Sequence, residues 1–266
     1  MTGGLKPLSS GIAKTSRFMT ENPFHNISEV KLGIVCPMAN DRERAVEFID
    51  AVLAQCDGFK HVTFFAVLDN VSIDGTVEIL RELENQQPKL KMVWAPENKC
   101  VVDAYIRGYK EALNAGCDWI LEIDASFSHQ PSEIQQFFEK MLRGYDCVFG
   151  SRFCDGGSMA ESSLKRRLIS RGGSIIANLL LGTKLKDMTS GFELFTRQVL
   201  ETVLDKGIKS KAHFFQTEIK VYCRNLKITE LPITYRAPSA SVNNAVLRDA
   251  LVNLSRLFIL RLRGRL

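Results

Sequence analysis

The chain has 266 residues, long for one domain and short for two, and an α/β fold of this length still closes around one core. Its 45% hydrophobic and 24% charged residues are those of a soluble globular protein, and a net charge of +5 names no partner and gives no case for nucleic acid. Seven cysteines without a C-x-x-C pair and four scattered histidines argue against a disulfide framework or a zinc site and fit reduced, buried thiols in a cytosolic protein.

Residues 1–28 carry Gly, Ser, Thr and Lys without an apolar stretch and read as a flexible arm rather than a signal peptide. From Lys31 the pattern becomes regular. Residues 31–36 form a short apolar strand, and 42–55 repeat apolar residues at helical spacing. Residues 61–68 form a second strand, and Asp74 can cap a helix running to about residue 85. A strand over 90–94, a helix over 102–115, a strand over 119–123, a helix starting near Pro131 and a strand over 147–150 complete a strand–helix alternation. Such alternation predicts parallel strands joined by right-handed crossovers, with ligands bound beyond their carboxyl ends.

The second half is less regular. Helices are expected over 164–181, 197–204 and 214–224, a turn over 187–191 and a last strand over 226–235. Residues 243–262 form a terminal amphipathic helix, with Val246, Leu247, Ala250, Leu251, Leu254, Leu257 and Phe258 as its stripe. Arginines crowd 165–171 and 256–265, where a basic cluster can hold phosphate, meet an anionic membrane or simply face water. No apolar stretch reaches the roughly 18–20 residues of a membrane-spanning helix.

Two strand ends carry the chemistry. One delivers Asp69-Asn70-Val71-Ser72-Ile73-Asp74-Gly75-Thr76, whose polar groups can bind a ribose and base or simply cap the next helix. The other delivers Asp124-Ala125-Ser126-Phe127-Ser128-His129, where a carboxylate can bind a cation that bridges two phosphates. His129 reads equally well as a packed loop histidine or a site residue. Arg166 and Ser170, four apart on one helix, share a face.

The order of these landmarks resembles the family 2 glycosyltransferases, above all the dolichol-phosphate mannosyltransferases and other polyprenol-phosphate sugar transferases. Pro37-Met38-Ala39-Asn40-Asp41 stands where they have P-T-Y-N-E, Asp69–Thr76 where they have D-D-G-S-T-D-G-T, and Asp124–Pro131 where they have D-A-D-L-S-H-x-P. Gly150-Ser151-Arg152-Phe153 is similar to G-S-R-Y, residues 165–172 to K-R-R-L-I-S-R-G, and Asp187-Met188-Thr189-Ser190-Gly191-Phe192 to D-x-T-S-G-F. Phe215-Gln216-Thr217-Glu218 and residues 231–236 follow in the same order, so the likeness runs from about residue 31 to 241.

The resemblance implies a GT-A fold, a Rossmann-like and mostly parallel sheet flanked by helices, over residues 29–241, with residues 242–266 as the appended helix. It implies an inverting transfer of sugar from a GDP- or UDP-sugar to an acceptor, with a polyprenyl or dolichyl phosphate favoured over a hydroxyl. Pro37, Ala39, Asp41, Asp69 and Asn70 would hold the nucleotide. Asp124, Ser126 and Ser128 would hold Mg²⁺ or Mn²⁺, and Arg152, Arg166, Ser170 and Arg236 would grip the acceptor phosphate. Asp124 would be the catalytic carboxylate, and Asp187 is the nominee for a base if the acceptor is a hydroxyl. Ser126 and Asn70 stand where the family has carboxylates, which predicts weak metal binding; Cys100-Val101-Val102 replaces a glycine-rich stretch and Glu193 an arginine.

The terminal helix divides evenly between packing on the domain and lying on a membrane, and the likeness tips it to a cytoplasmic protein peripheral at the cytosolic face, on lipid or on a membrane-protein partner. Two rivals remain: a nucleotidyltransferase, which would normally show a G-x-G-x-R segment that residues 36–43 lack, and a non-catalytic sugar-nucleotide binder on the same fold.

Overall fold

The computed structural model describes residues 26–159, 162–236 and 244–266. Most of the expected amino-terminal arm, and the late segment Ser239 to Val242, lie outside the described residues.

The elements follow in the order β1 (Lys31–Pro37), α1 (Ala45–Ala54), β2 (His61–Leu68), α2 (Thr76–Gln86), β3 (Leu90–Trp94), α3 (Val101–Asn114), β4 (Trp119–Glu122), α4 (Ile134–Leu142), β5 (Cys147–Ser151), β6 (Ser158–Met159), α5 (Leu164–Leu181), β7 (Glu193–Thr196), α6 (Arg197–Lys206), α7 (Phe214–Tyr222), β8 (Ile228–Pro232), β9 (Thr234–Tyr235) and α8 (Asn244–Leu262). Short 3-10 turns precede β1 and α4. The main sheet has the order β3-β2-β1-β4-β7-β5-β8, and β6 pairs with β9 beside it.

The β1, β2 and β4 strands are nearly continuous apolar runs because both faces of a parallel sheet are covered by helices. Alternate residues feed opposite cores. Leu32, Ile34, Phe64, Leu68, Trp119 and Leu121 pack with α1, α2 and α4. Val35, Phe65, Val67, Ile120 and Phe149 pack with α3, α6 and α7 and the buried ends of α5 and α8. Gly108 sets the closeness of α3, since a Cβ there would lie 2.3 Å from Val35 Cγ1.

The sheet is mostly parallel, as expected, with β7 running antiparallel between β4 and β5. One expectation needs correction. The last strand is not continuous. It breaks at Ile233, so that β8 extends the main sheet and β9 leaves it to pair with β6. The α5 helix keeps its expected bounds because both ends carry stop signals: Ser163 accepts the Arg166 N–H, and Gly182 is left-handed. All seven cysteines are free thiols, five of them buried.

Candidate active site

Three loops meet beyond the carboxyl ends of β1, β2 and β4, and side chains lace them together. Asn40, in the left-handed region at φ 57°, donates to the Val71 carbonyl (3.0 Å) and accepts the Ile73 N–H (3.0 Å). Thr76 Oγ1 accepts the Asp41 N–H at 2.9 Å, and Asp74 accepts the N–H groups of Thr76 and Arg42. Asp74 therefore begins α2 from one residue further out than Gly75, whose φ of 94° makes the tight entry. These bonds hold the Asp74 carboxyl below the usual range, with the Thr76 hydroxyl as the main cause. Asp69 accepts the Val71 N–H at 3.0 Å, and Asn70 donates to the Pro96 carbonyl at 3.0 Å.

Asp124 leaves the end of β4 with its side chain 41% exposed. It accepts a short hydrogen bond from the Tyr105 hydroxyl on α3, and burial pushes that phenol well up. His129 is buried and stacked on Phe192 at 4.9 Å; its Nδ1 accepts the Asp124 N–H at 3.4 Å and lies 3.8 Å from Asp124 Oδ2. Burial pulls its pKa down to about 4, so it is a neutral packed group beside Asp124.

Ser126 and Phe127 are left-handed at φ 62° and 58°. The turn aims the Ser126 hydroxyl at Asp41, to which it donates a short hydrogen bond. The Cys36 thiol at the end of β1 is raised by burial and then by the charges of Asp124 and Asp41. Among the described residues no three His, Cys, Asp or Glu side chains gather as a closed metal site. The donors present are hard oxygens on an open edge, a set that fits Mg²⁺ or Mn²⁺ when a diphosphate supplies the remaining ligands. The Ser128 backbone carbonyl accepts the Arg236 N–H at 3.0 Å, fixing the far end of this loop.

Beyond β5 the expected roles change. Arg152 and Asp187 are both buried and form a two-pronged ion pair: Arg152 Nε and backbone N reach Asp187 Oδ2 at 2.7 and 3.1 Å, and Nη2 reaches Oδ1 at 2.8 Å. Nη2 also donates to Thr189 Oγ1 at 2.6 Å, while Asp187 Oδ1 accepts the Thr189 N–H and hydroxyl. Although burial raises it, the net effect of the Arg152 charge and these hydrogen bonds holds the Asp187 carboxyl below its ordinary value. A buried carboxylate with five donors and a lowered pKa is ill placed to take a proton, which argues against the nomination of Asp187.

An open cleft of about 320 Å³ lies on the far side of Arg152, lined by Phe153, Met159, Leu164, Arg167, Leu168 and Arg171 among others. Arg166 and Ser170, the expected pair on α5, are not in its lining. The α5 face that lines it is one residue round, through Arg167 and Arg171, which have the same spacing of four. Arg166 is half-buried towards Tyr235 and Arg152, and burial lowers its pKa. Tyr235 connects the two regions: its ring lies 5.7 Å from the Arg152 guanidinium and 5.4 Å from the His129 ring. Arg236 is exposed beside Glu133 and does not line the cleft.

A buried network backs the sheet. Glu122 and Glu193 are register partners on β4 and β7, both fully buried. Tyr109 and Gln216 donate to Glu122, and the buried Lys220 ammonium donates to Glu193 and to the Ser190 carbonyl. Burial pushes Glu193 up to about 7 in spite of Lys220, and raises Glu122 well above the ordinary carboxylate range. Glu218 is buried beside Tyr222 and Arg256, accepting the N–H groups of Lys209 and Ser210, and so ties α8 to α7.

Acidic loops at the carboxyl ends of a mostly parallel sheet, with a basic cleft beyond them, define a sugar-nucleotide transferase of the GT-A type. The Glycosyl transferase family 2 model matches residues 33–204, and the chain belongs to that family: it is a glycosyltransferase. It is 30% identical over 195 residues to the undecaprenyl-phosphate mannosyltransferase of Micrococcus luteus, a match spanning 71% of this chain and 80% of that one. It is 27% identical to the polyprenol monophosphomannose synthase of Mycolicibacterium smegmatis, over 88% of each chain. The fold is similar to that of glucosyl-3-phosphoglycerate synthase from Mycobacterium tuberculosis solved with UDP (TM-score 0.65, 14% identity, 91% of this chain and 86% of that one). The same enzyme solved with Mn²⁺, UDP-glucose and phosphoglyceric acid gives a TM-score of 0.63 at 14% identity, over 92% of this chain and 86% of that one.

Proposed function

We propose that the protein moves a sugar from a nucleoside-diphosphate sugar to a polyprenyl phosphate by a single inverting displacement. The observation that carries this reading is the cleft in which Arg167 and Arg171 stand beside Leu164, Leu168, Phe153 and Met159. A lipid phosphate presents an anion and a hydrocarbon together, and this lining answers both. The likeness to two polyprenyl-phosphate mannosyltransferases supports the same acceptor.

In this reading Pro37, Ala39, Asp69 and Asn70 cradle the base and ribose on the laced loops. Asp124, Ser126 and Ser128 hold a divalent ion, Mg²⁺ or Mn²⁺, which neutralises the departing diphosphate. Tyr105 and the neutral His129 fix the Asp124 carboxylate through its side chain and backbone. The acceptor phosphate is already a nucleophile, so no base is required, in keeping with the occupied Asp187. Arg167 and Arg171 hold that phosphate, and Arg152, fixed by Asp187, forms the wall between acceptor and donor.

Among the described residues no helix is long and apolar enough to cross a membrane. Leu164, Leu168, Ile175 and Leu179 on α5 are each more than 60% exposed, and α5 carries four basic side chains and no acidic one. Such a helix fits a protein held at the surface of an anionic bilayer, where its acceptor resides. The α8 helix is anchored to the domain through buried Leu257 and through Arg256 on Glu218, and it too presents Leu247, Leu251, Val252, Ile259 and Leu262 to solvent.

The test is release of nucleoside diphosphate from GDP- and UDP-sugars with and without polyprenyl phosphate. Release that depends on the lipid phosphate supports the reading. Donor binding without lipid-dependent release overturns it in favour of a sugar-nucleotide binder.

A further inference from the structure

The donor end is one carboxylate short. The resemblance puts two aspartates in the cation loop, and this chain has Asp124 and Ser126. Mg²⁺ and Mn²⁺ favour hard anionic oxygens, and affinity falls as ligand charge is removed. A single aspartate and a hydroxyl would leave the ion to depend almost wholly on the diphosphate. Yet the hydroxyl of Ser126 has a partner: the left-handed turn at Ser126 and Phe127 directs it onto the carboxylate of Asp41, which comes from the loop after β1. That loop is anchored from behind by the Asp41 N–H on Thr76 Oγ1 and by Asn40 on the Val71 and Ile73 backbone, so Asp41 is delivered to this spot by a fixed frame. Asp41 and Asp124 thus both flank the end of β1.

We propose that Asp41 supplies the second carboxylate of the cation site, reaching across from the β1 loop to the place where Ser126 leaves one missing. The inference rests on the donor reading above and assigns Asp41 to the ion rather than to the base or ribose. Ser126 orients the Asp41 carboxylate by its hydrogen bond, and Asp124 and Asp41 together restore two negative charges to the site. Position 41, where the resemblance puts a glutamate, is thus drawn to the ion by Ser126, and the cation requirement is met by one carboxylate from each of two loops.

An exchange of the carboxylate between the two positions tests this. Mn²⁺ binding is measured by electron paramagnetic resonance of the free ion, with GDP or UDP present, for the wild type, Asp41→Asn, Ser126→Asp and the double variant. Aspartate suits the left-handed backbone at position 126 better than most residues, and thermal melting checks each fold. Asp41→Asn is expected to weaken Mn²⁺ by about tenfold or more, and Ser126→Asp added to it to return affinity to within about threefold of wild type. Nucleotide binding without metal should stay within about threefold in all four proteins.

Unchanged Mn²⁺ affinity in Asp41→Asn, or a double variant no better than Asp41→Asn, overturns the proposal and leaves the donor reading standing. Loss of metal-free nucleotide binding in Asp41→Asn overturns it in favour of a ribose contact. A wild type that binds neither nucleotide nor Mn²⁺ overturns both.

Discussion

At the carboxyl ends of β1, β2 and β4 the carboxylates stand at an open edge and are held by uncharged groups, as Asp124 is by the Tyr105 hydroxyl and Asp69 by the Val71 N–H. Behind β5 and β7 three carboxylates are buried against cations: Asp187 against Arg152, Glu193 against Lys220 and Glu218 against Arg256. The first arrangement leaves negative charge free to meet a ligand. The second removes charge from solvent and uses it to join elements. The same residue types therefore serve chemistry in one half and architecture in the other, and burial separates the two.

The largest effect expected on that contrast is from Asp124→Asn. It should cut turnover on the order of 10³-fold and leave the melting temperature nearly unchanged, because the side chain is 41% exposed and buries no partner charge. Steady-state assays beside thermal melts check this, and near-normal turnover by a folded variant would remove Asp124 from the mechanism.

The opposite signature belongs to Arg152→Met. Removing one partner of a buried pair strands the other, here Asp187, and should cost about 3–5 kcal/mol of stability. Urea titration reads it. A loss of acceptor affinity with unchanged stability would instead mean that Arg152 is a ligand-binding residue first.

His129 sharpens the contrast through pH. It is neutral in the folded protein, with its pKa lowered to about 4, while the unfolded chain titrates near the ordinary value of about 6.5. Between those values the unfolded state binds more protons, so stability is present above pH 6.5 and is lost as pH falls towards 4. The loss is on the order of 3 kcal/mol for this fully buried ring. In His129→Phe, which can keep the stack on Phe192, the slope of stability against pH across that window should flatten. A slope unchanged from wild type would assign the acid sensitivity to other groups.

The smallest change expected is at the cleft rim. Replacing Leu164 and Leu168 by Ser should reduce co-sedimentation with anionic vesicles several-fold while melting stays within a few degrees, since both side chains are more than 60% exposed. Vesicle binding equal to wild type would move the membrane contact elsewhere.

Much of the donor half was legible from sequence because its signals are local. A continuous apolar run bounded by polar turns fixed β2 and β3 at their observed limits, and Asp69, Asp74 and Asp124 follow directly from strand ends. The acceptor half was less legible because its pairings span long separations. β7 begins with Glu193, a residue that alone argues against a strand, and its burial makes sense only once Lys220 and Glu122 are adjacent. Arg152 and Asp187 are 35 residues apart, and nothing in either segment announces that they neutralise each other. On α5 the helix was readable but its orientation was not: 166/170 and 167/171 have the same spacing, and only packing decides which pair faces the cleft. The Ser126–Asp41 contact depends on a left-handed turn that the residues Ser-Phe do not signal.

The central claim is that a phosphate acceptor attacks without a base, because Asp187, the carboxylate paired with Arg152 at the cleft, is locked in an ion pair. The direct test is to offer the enzyme, with labelled donor and divalent ion, either a polyprenyl phosphate or the free polyprenol of the same length. The account predicts labelled lipid from the phosphate and essentially none from the alcohol. Equal transfer to the alcohol would contradict it, since that reaction needs a base that Asp187, held by Arg152, does not provide.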